Sequence, residues 1–164
     1  MIYPNQDFKK AYLATEGIYR KEFDDFYKNN FKNPLSKIEL TNPSMQQRGI
    51  DVILSLKTEN SIRFVYVEEK VDRLAHRTGN IGLELDNGFG DGSGWFFNTK
   101  ADFICYLILN ENKEVSRILW LSMSSLRKRY NDGDFKKYPT GHCVEDNHRK
   151  ASSIKLIPIS ELEK

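Results

Sequence analysis

Apolar residues recur along this chain at helix spacing near the start and in short continuous runs later, and the change between the two predicts most of its elements. From Asp7 to Phe31, the positions Phe8, Ala11, Tyr12, Ile18, Tyr19, Phe23, Phe26 and Tyr27 return at three- and four-residue steps. That is the face of one helix or two, weakened in the middle by Gly17. The polar stretch Asn29–Ser36, with Pro34, ends it. Lys37–Leu40 is a short strand, Asn42-Pro43-Ser44 a turn, and Gly49–Lys70 two apolar strands around KTENS, which predicts a hairpin. Ile81–Leu85 is a brief strand. Phe103–Leu109 is a continuous apolar run, as in a strand buried on both faces, and it pairs with Val115–Leu121 across Asn110–Lys113. Ser122 or Ser124 caps a helix through Tyr130. Residues 131–151 are a long polar stretch, and Ile154–Ile159 is a last strand, placed at a sheet edge by Pro158. This order gives an α/β or α+β domain with one mixed sheet and helices against it.

The hairpin is where the pattern becomes chemical. Its second strand runs IRFVYV and then meets Glu68-Glu69-Lys70, so charge follows residues that belong to a core. Side chains alternate faces along a strand, which puts Glu68 and Lys70 on one side and Glu69 on the other. A turn centred on Glu59-Asn60 sets Asp51 directly across from Glu68, with their β-carbons roughly 5 Å apart. Two hard oxygen ligands converging on one point suit a divalent cation, and Mg²⁺ is commonly held by one or two carboxylates. The lysine beside them can hold a water or neutralise charge on a phosphate. A solvated strand end is the bland alternative. Glu16 or Glu22 on the first helix is a candidate to approach this site from the side.

Composition narrows the class without naming a function. The chain has 164 residues, of which 39% are hydrophobic and 29% charged, an ordinary globular balance for one domain over residues 1–164. Ten Phe, eight Tyr and two Trp supply bulk for its core. A net charge of +2 does not by itself argue for nucleic acid, so any basic surface must come from local placement. Arg73, His76 and Arg77 make one such excess just after the Glu-Glu-Lys run, in a segment suited to phosphate contacts. The glycine-rich stretch Asp86–Gly94 lacks P-loop spacing. Cys105 sits in an apolar run as a small hydrophobe, and Cys143 with His142 and His148 lacks a fourth ligand for a metal. Two cysteines without a framework, no signal peptide and no apolar stretch near ~18 residues predict a soluble, cytoplasmic protein off the membrane.

Five short motifs follow one another from Gln46 to Leu109: Gly49-Ile50-Asp51; Glu68-Glu69-Lys70; Thr78-Gly79-Asn80 leading to Glu84; Ser93-Gly94; and Thr99-Lys100-Ala101-Asp102. In that order they resemble the PD-(D/E)XK nuclease superfamily, in its small phage and bacterial form. Two features depart from the pattern. No proline precedes Asp51, and the loop between Glu84 and Ser93 is long and rich in glycine.

The resemblance implies a restriction-endonuclease-like fold, a central mixed β-sheet flanked by helices with an αβββαβ core. It implies Asp51 and Glu68 as metal ligands, Lys70 as the catalytic lysine and Mg²⁺ (or Mn²⁺) as cofactor. A second metal would call on Glu84 or Glu16. The activity implied is metal-dependent hydrolysis of phosphodiester bonds, as an endonuclease or resolvase on DNA; the local positive charge makes Arg73, Arg77 and Lys100 the candidates for contacting the nucleic acid, and the sequence leaves the oligomeric state open, although nucleases that cut two strands are often homodimers. The alternative is a nuclease-fold subunit that binds nucleic acid and has lost turnover. Superfamily membership alone does not name a substrate.

Overall fold

A computed structural model describes residues 16–31, 35–87, 92, 94–143 and 152–163. The expected helical positions Phe8, Ala11 and Tyr12, and also Ser93 and His148, lie outside the described residues, as do the side chains of Glu16, His142 and Cys143. After a short 3₁₀ turn, Glu16–Tyr19, the elements are α1 (Arg20–Asn30), β1 (Leu35–Leu40), α2 (Pro43–Gln46), β2 (Val52–Lys57), β3 (Ile62–Asp72), α3 (Ala75–Thr78), β4 (Asn80–Asp86), α4 (Trp95–Asn98), β5 (Phe103–Leu109), β6 (Val115–Ser122), α5 (Met123–Asp132), β7 (Thr140–Cys143), β8 (Ser152–Pro158) and α6 (Ile159–Leu162).

The result is a mixed α/β protein. A five-stranded sheet runs in the order β1-β2-β3-β5-β6, and a separate three-stranded sheet in the order β4-β8-β7. All neighbours are antiparallel except β3 and β5, which run parallel with Glu68 beside Ile104 and Lys70 beside Tyr106. A parallel pair needs a long crossover. Here α3, β4 and α4 fill it, and β4 leaves the main sheet to pair with β8.

The hairpin forms in the expected register: Val52 faces Val67 and Lys57 faces Ile62, around the turn Thr58–Ser61 closed by Thr58 N–H to Ser61 O at 2.9 Å. The run Phe103–Leu109 is internal and buried from Ile104 onward. Its alternate residues enter two different cores. Ile104, Tyr106 and Ile108 join Ile81, Leu83, Met123 and Ile157 on one face, and Cys105 and Leu107 join Phe23, Tyr27, Leu54 and Val67 on the other. Helix α1 closes that second face with Phe23 and Tyr27, one turn apart and both fully buried. Ser122 caps α5, its hydroxyl accepting the Ser125 N–H at 3.3 Å.

Three expectations need correction. The described residues form two sheets, not one. β8 is the middle strand of the smaller sheet and not an edge, because Pro158 stands at its last residue, where the missing N–H interrupts no ladder within the strand. β7 lies inside the stretch taken as simply polar: Thr-Gly-His-Cys has no apolar alternation to announce a strand, and β8 recruits it. Among the described residues, no helix is long and apolar enough to cross a membrane.

Candidate active site

Strand β3 brings the candidate residues together by alternation. Glu68 and Lys70 face the core built on β4, β8 and α5, and Glu69 faces α1, as the strand period requires. Asp51 stands one residue before β2. Its N–H bonds Val67 O at 2.9 Å, and its carboxylate reaches across the strand end to accept the Glu69 N–H on Oδ2 at 2.8 Å. Asp51 is thereby fixed beside the backbone that separates the two glutamates.

Glu68 is only 4% exposed. Its Oε1 is paired with the Lys70 ammonium. Its Oε2 is buried and has no hydrogen-bond partner among the described residues. Gly49 explains how the chain passes so near this oxygen. It adopts φ +66°, a conformation that suits glycine, and a β-carbon there would lie 2.9 Å from Glu68 Oε2 and 2.7 Å from Thr99 Cβ. Thr99, almost fully buried, locks the approach by donating its hydroxyl to Gly49 O at 2.5 Å.

Burial pushes the Asp51 carboxyl well above its ordinary range, and the Glu68 charge pushes it further, while Lys70 and the Glu69 N–H pull it down. A divalent cation takes donors of this kind: they are hard oxygens, and the buried Oε2 of Glu68 has its lone pairs unused among the described residues. Manganese accepts the same oxygen donors. Among the described residues no three His, Cys, Asp or Glu side chains converge as a metal cage. The protein ligands to such an ion would be Asp51 and Glu68.

The other candidate acids stand elsewhere. Glu84 is on β4, and its Oε2 accepts the Trp95 N–H at 3.5 Å. It reaches the site only indirectly, through Trp95, whose ring centre lies 5.7 Å from the Lys70 ammonium. Helix α1 covers the opposite face of the sheet, which leaves Glu22 on the far side from Glu68. That far face holds a second buried acid. Glu69 is fully buried, bonded by Arg20 Nη1 at 2.9 Å and by the Tyr27 hydroxyl at 2.7 Å. Burial first, and then the Glu69 charge, push both the Tyr27 hydroxyl and the neighbouring Cys105 thiol upward.

Among the basic candidates, Arg73 and Arg77 are exposed beyond the Lys70 end of β3, and Lys100 is exposed at the other end, its N–H bonding Arg48 O at 2.8 Å. Sequence reasoning passed over Arg20, Tyr27, Arg63 and Trp95, and gave Gly49 and Thr99 no role beyond their motifs. The motif letters were the available signal: Gly49 and Thr99 meet over Glu68, and Gly94 lies where a β-carbon would stand 2.2 Å from Glu84 O. Comparison with protein-family models, with curated proteins and with solved structures found no match.

Proposed function

We propose that this protein is a metal-dependent nuclease that hydrolyses phosphodiester bonds in DNA, built on a restriction-endonuclease-like plan. The observation that carries the reading is the buried Oε2 of Glu68, unpartnered among the described residues, with Asp51 held at the adjoining strand end by the Glu69 N–H and Lys70 on the same face as Glu68. Buried carboxylate oxygens are normally hydrogen-bonded, as both oxygens of Glu69 are. Glu68 leaves its second oxygen bare at a cost of about 1–3 kcal/mol, which a ligand would remove. The order of elements supports the same plan: a helix, three antiparallel strands, a crossover and a strand parallel to the third. Among the described residues, its crossover contains β4 and the four-residue helices α3 and α4.

In this reading Asp51 and Glu68 hold the cation. Bound Mg²⁺ would supply Lewis-acid polarisation of the scissile phosphate and a water of lowered pKa. Lys70 stands beside Glu68, where its ammonium orients the attacking water or neutralises charge growing on the phosphate. The Trp95 ring limits where that ammonium can go. Arg73, Arg77 and Lys100 contribute the salt-sensitive attraction to phosphates.

The test is cleavage of plasmid, single-stranded and branched DNA with and without Mg²⁺, by wild type, Asp51→Asn and Glu68→Gln. Wild type should cut only with metal, and both variants should lose cutting while keeping the fold. An Asp51→Asn protein that cuts as fast as wild type would sink the assignment. Retained binding with no cleavage of any substrate would instead favour a nuclease-fold binding subunit.

A further inference from the structure

Before it reaches the acids, strand β3 crosses open ground. Ile62, Phe64, Tyr66, Glu68 and Lys70 share one face. The covering layer of β4, β8 and α5 reaches the last two and leaves Ile62 56% and Phe64 54% exposed. Beside them opens a cleft of about 660 Å³, bounded by Arg63, Phe64, Tyr66, Lys100, Phe103 and Ser124. Arg63 and Lys100 are exposed on its rim. Arg127 adds a third cation from beneath, held by Phe96 O at 3.0 Å and Thr99 O at 2.7 Å. The acid there, Asp102, is engaged: it accepts the Tyr66 N–H on Oδ2 at 3.0 Å.

Exposed aromatic faces rimmed by cations match one kind of polyanion. A duplex keeps its bases stacked on each other and offers no open π-face, whereas unpaired bases do, and stacking on aromatic side chains within a basic groove is how single strands are held. We propose that this cleft binds single-stranded DNA, with bases against Phe64 and Tyr66 and phosphates towards Arg63 and Lys100, on the same strand of the sheet that carries Glu68 and Lys70. The inference rests on the nuclease reading and names its substrate: DNA with an unpaired segment next to the cut. Two residues of strand span ~7 Å, so Phe64 stands ~14 Å along β3 from Glu68.

The experiment measures binding by fluorescence anisotropy, without metal, in a Glu68→Gln background so that turnover cannot interfere. The probes are labelled oligothymidine and a blunt duplex. Oligothymidine should bind more tightly than the duplex, and Phe64→Ala should weaken it at least about fivefold. Arg63→Ala and Lys100→Ala should each weaken it and reduce its salt slope by about one. Ile18→Ala, equally exposed but on the short turn before α1, should bind as the parent does; thermal melting checks that each variant is folded. Equal affinity for duplex, or an unchanged Phe64→Ala, overturns the proposal. So does a Phe64-dependent dimer in sedimentation, which would give the face to a second copy of the chain. Failure here alongside metal-dependent cutting by wild type leaves the nuclease reading standing. Phe64-dependent binding without any cutting would remove the nuclease and keep the cleft.

Discussion

Gly49 passes so close to Glu68 that a β-carbon on it would stand 2.9 Å from the glutamate's unpartnered Oε2. Gly49→Ala must therefore relieve a collision with Glu68 and Thr99 and also hold a positive φ, which costs about 1–2 kcal/mol for a residue with a side chain. The variant should lose about 1–3 kcal/mol of stability in urea denaturation. If the nuclease reading holds, it should also cut DNA at least tenfold more slowly, because the displaced atom is a proposed ligand. Full activity at unchanged stability would mean that Glu68 Oε2 needs no fixed surroundings.

Asp51 makes a pH prediction on the metal-free protein. Its carboxyl is held above the ordinary range, by burial first and the Glu68 charge second. A folded-state pKa above the unfolded value means that the folded protein takes up the proton. Stability is then greatest below the unfolded value and is lost as pH rises through the folded one. Asp51→Asn removes this loss and keeps an oxygen to accept the Glu69 N–H. The melting temperature of Asp51→Asn should match wild type near about pH 4 and exceed it at about pH 8. A variant less stable than wild type at the higher pH contradicts the burial and repulsion assigned to Asp51.

Much of this was legible in the chain, and the reasons are local. The Glu59-Asn60 turn and the strand period fix the hairpin register from Val52 opposite Val67 to Lys57 opposite Ile62, so that pairing needs no knowledge of the rest of the molecule. The continuous apolar run at Phe103–Leu109 is readable because both its faces are covered. Partnerships between distant elements were not legible. Arg20 and Glu69 are 49 positions apart, and nothing in the helix pattern separates a half-buried arginine bonded to a core acid from one on a wet face. β4 and β8 pair over a still longer separation, so their shared second sheet could not be told from an extension of the first.

Arg20 supplies a prediction about that hidden face. Its guanidinium bonds Glu69, which is fully buried, and Tyr27 completes the cluster. Arg20→Ala leaves a buried carboxylate without this cation and should cost about 3 kcal/mol, the scale seen when one partner of a buried pair is removed. Glu69→Gln, which keeps an acceptor for the Tyr27 hydroxyl, should cost less, and adding it to Arg20→Ala should recover part of the loss. Urea unfolding of the three variants measures this as a double-mutant cycle. Strict additivity would show that Glu69 does not depend on Arg20.

Lys70 distinguishes the roles assigned around Glu68. Its ammonium already occupies Oε1 and lies over the Trp95 ring, so it competes for the charge that a cation would balance. A lysine that orients water or meets the phosphate is needed for turnover and not for holding metal. Lys70→Ala should therefore lose DNA cleavage by at least about a hundredfold, the lower range for a positioned catalytic group. Over the same variant, Mn²⁺ measured by calorimetry should bind as tightly as to wild type or more so, because the competing cation is gone. Glu68→Gln should give the opposite pattern on the metal axis, weakening Mn²⁺ with Lys70 still in place. Lys70→Ala protein that cuts normally would leave the lysine as a mere counter-ion for Glu68. Loss of Mn²⁺ binding in Lys70→Ala would show that the ammonium holds Glu68 in the position the ion requires, making Lys70 a positioning residue and not a catalytic one.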